Sequence, residues 1–325
     1  MAGWLSRILL PLGAVMLMLA LSGCSDNGAA EQARQIEKYL ELDAGRLATL
    51  GTMLDKGEIR NATLIGHYAE RLNQQDPSLA PIVSALATDA GKGPLFESLK
   101  RRLDEANNPA NFVDEAMRLD ELENLYQAAD PALYNDMLSD PLNTLADMSG
   151  GSLPRVNAVS RESELASLGD DFGPGSQLIG NPAYGEWQTG SNGTSFWAWY
   201  GMYAMFSNLF HRPVYYDNWS SRRHYSYYHD VGRYRYSSPR DVLKQQQVFT
   251  QTKKRFDNQG KRFDSPYAKT RSGATGLSRQ SQQAPSVAQA SKARTERQKF
   301  RSNYAKDSSF RDSGNRTSRS SRRGK

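Results

Sequence analysis

The sequence predicts a mainly α fold: an N-terminal helical bundle or irregular helical array, then an aromatic-rich segment, then a long disordered basic tail. Three observations carry this expectation. Apolar residues recur at helical spacing between residues 30 and 148, with cap and breaker signals between the runs. Charge is spread unevenly: 12 basic against 22 acidic residues over 1–150, 7 of each over 151–238, and 22 basic against 6 acidic over 239–325. Hydrophobic residues make up 38% of the 325, below the ~45–50% usual in packed soluble chains. The deficit is concentrated at the C-terminal end. A mean hydropathy of −0.68 excludes a polytopic membrane protein. A single cysteine excludes an intramolecular disulfide framework and a Cys-clustered metal centre.

Residues 1–23 read as an export signal. Arg7 precedes an apolar run from Ile8 to Leu21, too short for a span of ~20 residues. Small residues then precede Cys24. Leu21-Ser22-Gly23-Cys24 resembles the lipobox of bacterial lipoproteins at every position. The resemblance implies cleavage before Cys24, a diacylglycerol on its sulfur and an acyl chain on the new α-amine. It also implies membrane lipid as a partner and, with Ser25 after the cysteine, the outer membrane facing the periplasm rather than the inner membrane. Residues 24–29 would be the lipidated N-terminus and a short tether.

Residues 30–148 form the expected acidic helical domain. Ile36, Leu40, Leu47, Leu50 and Leu54 make one stripe; Ile59, Ala62, Ile65, Ala69 and Leu72 repeat it; further stripes run through Leu86, Leu99, Leu122 and Leu138. Asp76-Pro77, Asp130-Pro131 and Asp140-Pro141 each place an acceptor at an N-cap and a proline at the first helical position. Asn111 and Asp114 offer another cap. His67, among Ile65, Tyr68 and Ala69, reads as a packing residue. The acidic surplus reads as a solvated face, with docking of a basic partner as the alternative.

Residues 149–195 read as a Gly/Pro/Ser-rich linker, with a short helix expected at 161–168. The aromatic segment covers 196–238. Its first fifteen residues, Phe196 to Phe210, hold no charge. As a helix they would be ~22 Å long, short of a ~30 Å hydrocarbon core, with Gly201, Ala204 and Asn208 on a face able to approach another helix closely. Phe196, Trp197, Trp199, Tyr200, Tyr203, Phe206 and Phe210 therefore either complete the helical core, lie in a membrane interface, or form a partner-binding surface. Farther on, Tyr and Trp alternate with Arg and His. His224, His229 and Asp230 lack the spacing and third ligand of a metal site.

Ser238-Pro239-Arg240-Asp241 starts a basic helix over 239–258, and residues 259–325 read as a disordered tail. The tail carries degenerate repeats: Lys254-Arg255-Phe256-Asp257 returns as Lys261-Arg262-Phe263-Asp264, and Phe263 to Tyr267 and Lys269 returns as Phe300-Arg301 to Tyr304 and Lys306. Aromatics beside cations at repeated sites suit polyanions bound at several points. In an envelope these are anionic lipid, lipopolysaccharide or peptidoglycan; nucleic acid is not an expected partner of an exported chain.

No HExxH, GxSxG or SxxK motif is present, and the sole thiol lies in the lipobox. No cofactor or metal is implied. The expected function is non-enzymatic: a lipid-anchored envelope protein with a structural or tethering role. The alternatives are an accessory subunit of a membrane complex and a cell-wall or glycan hydrolase with carboxylates in no familiar pattern.

Overall fold

The computed structural model describes residues 23–168, 171–209, 213–269 and 271–284. The signal residues up to Ser22, Phe210, and the C-terminal stretch holding Phe300, Arg301, Tyr304 and Lys306 lie outside the described residues.

The chain is mainly helical. Helices α1 (Gly23–Asp55), α2 (Arg60–Gln75), α3 (Ala80–Ala87), α4 (Pro94–Ala106), α5 (Glu115–Ala128), α6 (Pro131–Met137) and α7 (Ser139–Met148) form the N-terminal array. α1 lies against α4 and α5, while α2 lies against α3 and α7. The stripes meet in one core through Leu50, Ile65, Val83, Leu99, Leu122 and Leu142. Burying each such side chain contributes about 1.5–3 kcal/mol. α1 starts at Gly23, so residues 24–29, expected as a short tether, continue the helix. His67 is exposed on α2 rather than packed.

Cap chemistry follows the expectation at Asp76, Asp114 and Asp130, whose carboxylates accept backbone N–H bonds from Ser78, Met117 and both Ala132 and Leu133. Asp140 departs from it. α7 begins two residues before Pro141, at Ser139, and the Asp140 carboxylate instead accepts the N–H groups of Tyr227 and Tyr228 at 2.8 and 2.9 Å. A side chain that could have capped its own helix caps a turn 87 residues away.

The second half adds α8 (Arg161–Leu168), as expected, then strands β1 (Gly185–Thr189) and β2 (Ser195–Trp199), a 3-10 stretch over Gly201–Asn208, α9 (Tyr216–Arg222), one π turn at Tyr228–Gly232, α10 (Pro239–Asn258) and α11 (Arg279–Gln283). β1 and β2 pair antiparallel with Glu186 opposite Ala198 and Trp187 opposite Trp197.

Three expectations change here. The 149–195 stretch is not a loose linker: Leu178, Ile179 and Tyr184 are fully buried. Gly180, at φ +86°, lets the backbone approach His229 and Trp219 where a Cβ would stand 2.9–3.0 Å from their rings. The uncharged run from Phe196 is a strand followed by a 3-10 stretch, not one helix. Phe196 to Trp199 pairs with β1, and Gly201 at φ +46° turns the chain. The buried side chains are then Tyr203 and Phe206, while Gly201, Ala204 and Asn208 face outward. The start of the expected disordered tail, 259–284, is laid on the body. Phe263 is buried, and the N–H of Ser278 and the hydroxyl of Ser281 both donate to Asp136.

α10 shows why the chain returns there. Ser238 and Asp241 form a capping box at its start. At its end, the N–H of Gly260 (φ +69°) donates to the Asp257 carbonyl and the N–H of Lys261 to the Phe256 carbonyl. This is a Schellman motif, which reverses the chain at a left-handed glycine.

Candidate functional site

Two groups of side chains organise the second half and its contacts with the helical array. The first is ionic. Arg223 and Asp230, both 2% exposed, form a bidentate pair at 3.0 and 2.7 Å. Asp230 also accepts from the Arg271 N–H. Glu164 accepts from Arg155 and from the Tyr225 N–H, both at 2.9 Å. Arg102 donates to Glu121 at 2.6 Å and to the Arg235 carbonyl at 2.6 Å. Each carboxylate of these pairs accepts a hydrogen bond, as buried charges require, while Arg102 Nη2 is buried with no hydrogen-bond partner among the described residues.

Burial pushes the carboxyls of Asp43, Asp89 and Asp140 up to about 7. In Asp89 a hydrogen bond from the Tyr184 hydroxyl opposes the shift, and in Asp140 the two backbone N–H groups do. Asp43 has neither oxygen hydrogen-bonded; Glu121 nearby adds to the rise, and Arg102 and Arg46 work against it.

His229 is neutral: burial and Arg223 hold its pKa well below the usual range. Its Nε2 lies 2.6 Å from the Ile179 carbonyl, which can only accept, so the proton sits on Nε2. His224 lies instead beside Glu164, and Asp230 is committed to Arg223. The described residues hold no cluster of three or more His, Cys, Asp or Glu side chains able to bind a metal.

The second is aromatic. Trp187 is its hub, with ring centroids 5.2 Å from Trp197, 5.0 Å from Tyr216 and 5.1 Å from Trp219. Trp219 leads on to His229, and Tyr216 to Phe263. Beside this cluster, the β1–β2 hairpin and α10 flank a cleft of ≈ 280 Å³. Trp187, Trp197 and Tyr200 line it from one side; Lys244, Gln247 and Gln251 line it from α10. Glu186 bridges the two sides, 3.2 Å from the Tyr200 hydroxyl and 3.8 Å from Lys244.

The aromatic residues singled out in the sequence divide. Trp197, Tyr203 and Phe206 are buried; of these only Trp197 lines the cleft. Phe196 and Trp199 are half-buried, Trp199 stacking on Phe206 at 4.9 Å. Tyr200 is 41% exposed, at the cleft.

The polyanion candidates divide too. Arg255 is tied to Asp217 at 2.6 Å and to Thr194 at 2.7 Å. Phe256 and Phe263, the two halves of the repeat, pack on each other with centroids 4.9 Å apart. Tyr267 lies under Arg233, 3.7 Å from ring to guanidinium. Lys254, Lys261, Arg262 and Lys269 are exposed. Cys24 falls within the first two turns of α1.

Sequence reasoning missed Trp187, Trp219 and Tyr216 as a unit. The available signal was Gly190-Ser191-Asn192-Gly193 between two aromatic runs, a hairpin pattern read as linker. Comparison with protein families, with curated proteins and with solved structures found no match to this chain.

Proposed function

We propose that this protein is a non-enzymatic, lipid-anchored component of the cell envelope with a structural or tethering role, facing the periplasm from the outer membrane. The observation that carries the reading is the run Ile8–Leu21 followed directly by Leu21-Ser22-Gly23-Cys24. Acyl chains on Cys24 hold the protein at the bilayer, two or more being needed for stable anchoring. No helix among the described residues is long and apolar enough to cross a membrane.

Two further features support the reading. α1 is helical from Gly23, and among its described side chains Gly28 to Glu31 are exposed, Gln32 is half-buried and Ile36 is the first to be buried, 12 residues after Cys24. At 1.5 Å per residue that length of helix spans ~18 Å between Cys24 and Ile36. Lys254, Lys261, Arg262 and Lys269 present cations to anionic lipid, lipopolysaccharide or peptidoglycan. The carboxylates at the cleft support binding over hydrolysis: Asp241 accepts in the α10 capping box and Glu186 is held by Tyr200 and Lys244.

The test is metabolic labelling with a palmitate analogue. The wild type should label and fractionate with membranes, and Cys24→Ala should do neither. Equal labelling of the two would end the proposal.

A further inference from the structure

We infer that the cleft between the β1–β2 hairpin and α10 binds a neutral carbohydrate, one or two pyranose rings of a glycan. Trp187 and Trp197 face each other across the hairpin and both line the cleft. Their indole N–H groups are buried and donate to no acceptor among the described residues. Buried donors rarely go unpaired without water or a ligand to take the bond. Trp197 is 6% exposed, so its ring is a fixed part of the wall. Contacts to Tyr216 and Trp219 hold the Trp187 ring in place, so the aromatic surface is formed before any ligand arrives.

The opposite side is polar in a particular way. Lys244, Gln247 and Gln251 stand three and then four residues apart on α10, hence on one face. The two glutamine amides are exposed and hydrogen-bond no other described residue, and each can both donate and accept. Glu186 adds an acceptor.

A pyranose matches this set. Its axial C–H face is apolar and lies on an indole, and its hydroxyls both give and take hydrogen bonds around the rim. An anionic ligand fits poorly. Glu186 and Asp241 face a single ammonium, Lys244, so the cleft lacks the positive excess that phosphate or polyanion would need. At ≈ 280 Å³ the space falls just under the range of drug-sized ligand sites, about 300–1,000 Å³, and suits a ligand of one or two rings. The cleft is separate from the exposed cations of the basic segment, and this assignment stands whether or not Cys24 carries lipid.

The experiment titrates the full chain with chitotriose and with maltotriose, following tryptophan fluorescence and saturation-transfer NMR. The two sugars separate an N-acetylated from a plain glycan source. A proline-rich peptide and inositol hexakisphosphate serve as the rival ligand classes. Saturable binding of at least one sugar at millimolar or lower concentration is expected, with transfer to ring protons. Gln247→Ala with Gln251→Ala, on exposed helix surface, should weaken it at least about tenfold without moving the melting temperature. Trp187→Phe, which removes one indole N–H, should weaken it as well. No saturable binding of either sugar, binding unaltered in both variants, or a preference for the peptide or the phosphate would overturn the assignment. So would release of shorter sugars during the titration, which would make the cleft hydrolytic.

Discussion

The helical array and the aromatic half meet in one core cluster, the aromatic half adds a second around Trp219, and the two halves are held by different forces. In the array, Leu50, Ile65, Leu99 and Leu122 meet other aliphatic side chains, and Arg102–Glu121 is a buried ion pair between α4 and α5. In the aromatic half, Arg223–Asp230 and Arg155–Glu164 are buried ion pairs, with backbone N–H groups donating to each carboxylate. Aliphatic packing is non-directional and can relax around a loss. A buried ionic network cannot, because removing one partner strands the other in low dielectric. The two halves should therefore fail differently under single substitutions.

The largest expected effect is at Arg223. Arg223→Met leaves Asp230 buried without its bidentate partner and should cost about 3–5 kcal/mol in denaturant unfolding. A cost below about 1 kcal/mol would mean that the network is peripheral and the comparison false. Next comes the array: Leu50→Ala, at a fully buried site, should cost ~3 kcal/mol. The loss should be largely pH-independent, unlike that at Arg223, and a strong pH dependence would tie the array to the ionic network.

The smallest effect sharpens the comparison within the array itself, where Asp43 and Asp89 are buried acids whose pKa values burial raises. With Asp140 they sit near 7 when folded, against a value of 3.8 in the absence of burial. Between those values the folded chain keeps protons that the unfolded chain has released. Their contribution to stability is complete below about pH 4 and lost as pH rises through about 7. The melting temperature should fall over that window. Asp43→Asn, which gives up no hydrogen bond, should flatten the curve and raise the pH 8 melting temperature by a few degrees, about 1 kcal/mol in a chain of this size. Parallel curves for variant and wild type would show that Asp43 remains charged in the fold.

Legibility in the sequence followed the range of the interaction. Caps at Asp76, Asp114, Asp130 and Ser238–Asp241 were readable because donor and acceptor lie within three residues. Asp140 carries the same Asp-Pro signature, yet its partners lie in the π turn, and no local pattern distinguishes the two uses. By composition alone the glycines of 149–195 signal flexibility. Gly175 and Gly180 instead serve contact, with Phe206 in one case and Trp219 in the other. The uncharged aromatic run was ambiguous between helix and strand, as short apolar runs are, and the neighbouring turn decided it. The Phe256 and Phe263 repeat was visible as a repeat but not as a mutual contact, because that depends on reversal at Gly260. The cleft was legible only as an excess of aromatics.

The carboxylates of α6 and α7 also bear on timing. Asp140 waits for Tyr227 and Tyr228, and Asp136 for Ser278 and Ser281, 142 and 145 residues downstream. Contacts so far apart in sequence demand costly loop closure and slow the approach to the native state. During synthesis the helical array emerges first and can collapse on its aliphatic stripes, but the partners of these acids arrive last. The array would then pass through a stage with a hydrophobic core already shut and anionic sockets still open on one side. The closing step is a polar one, made by a serine near residue 280 rather than by the core.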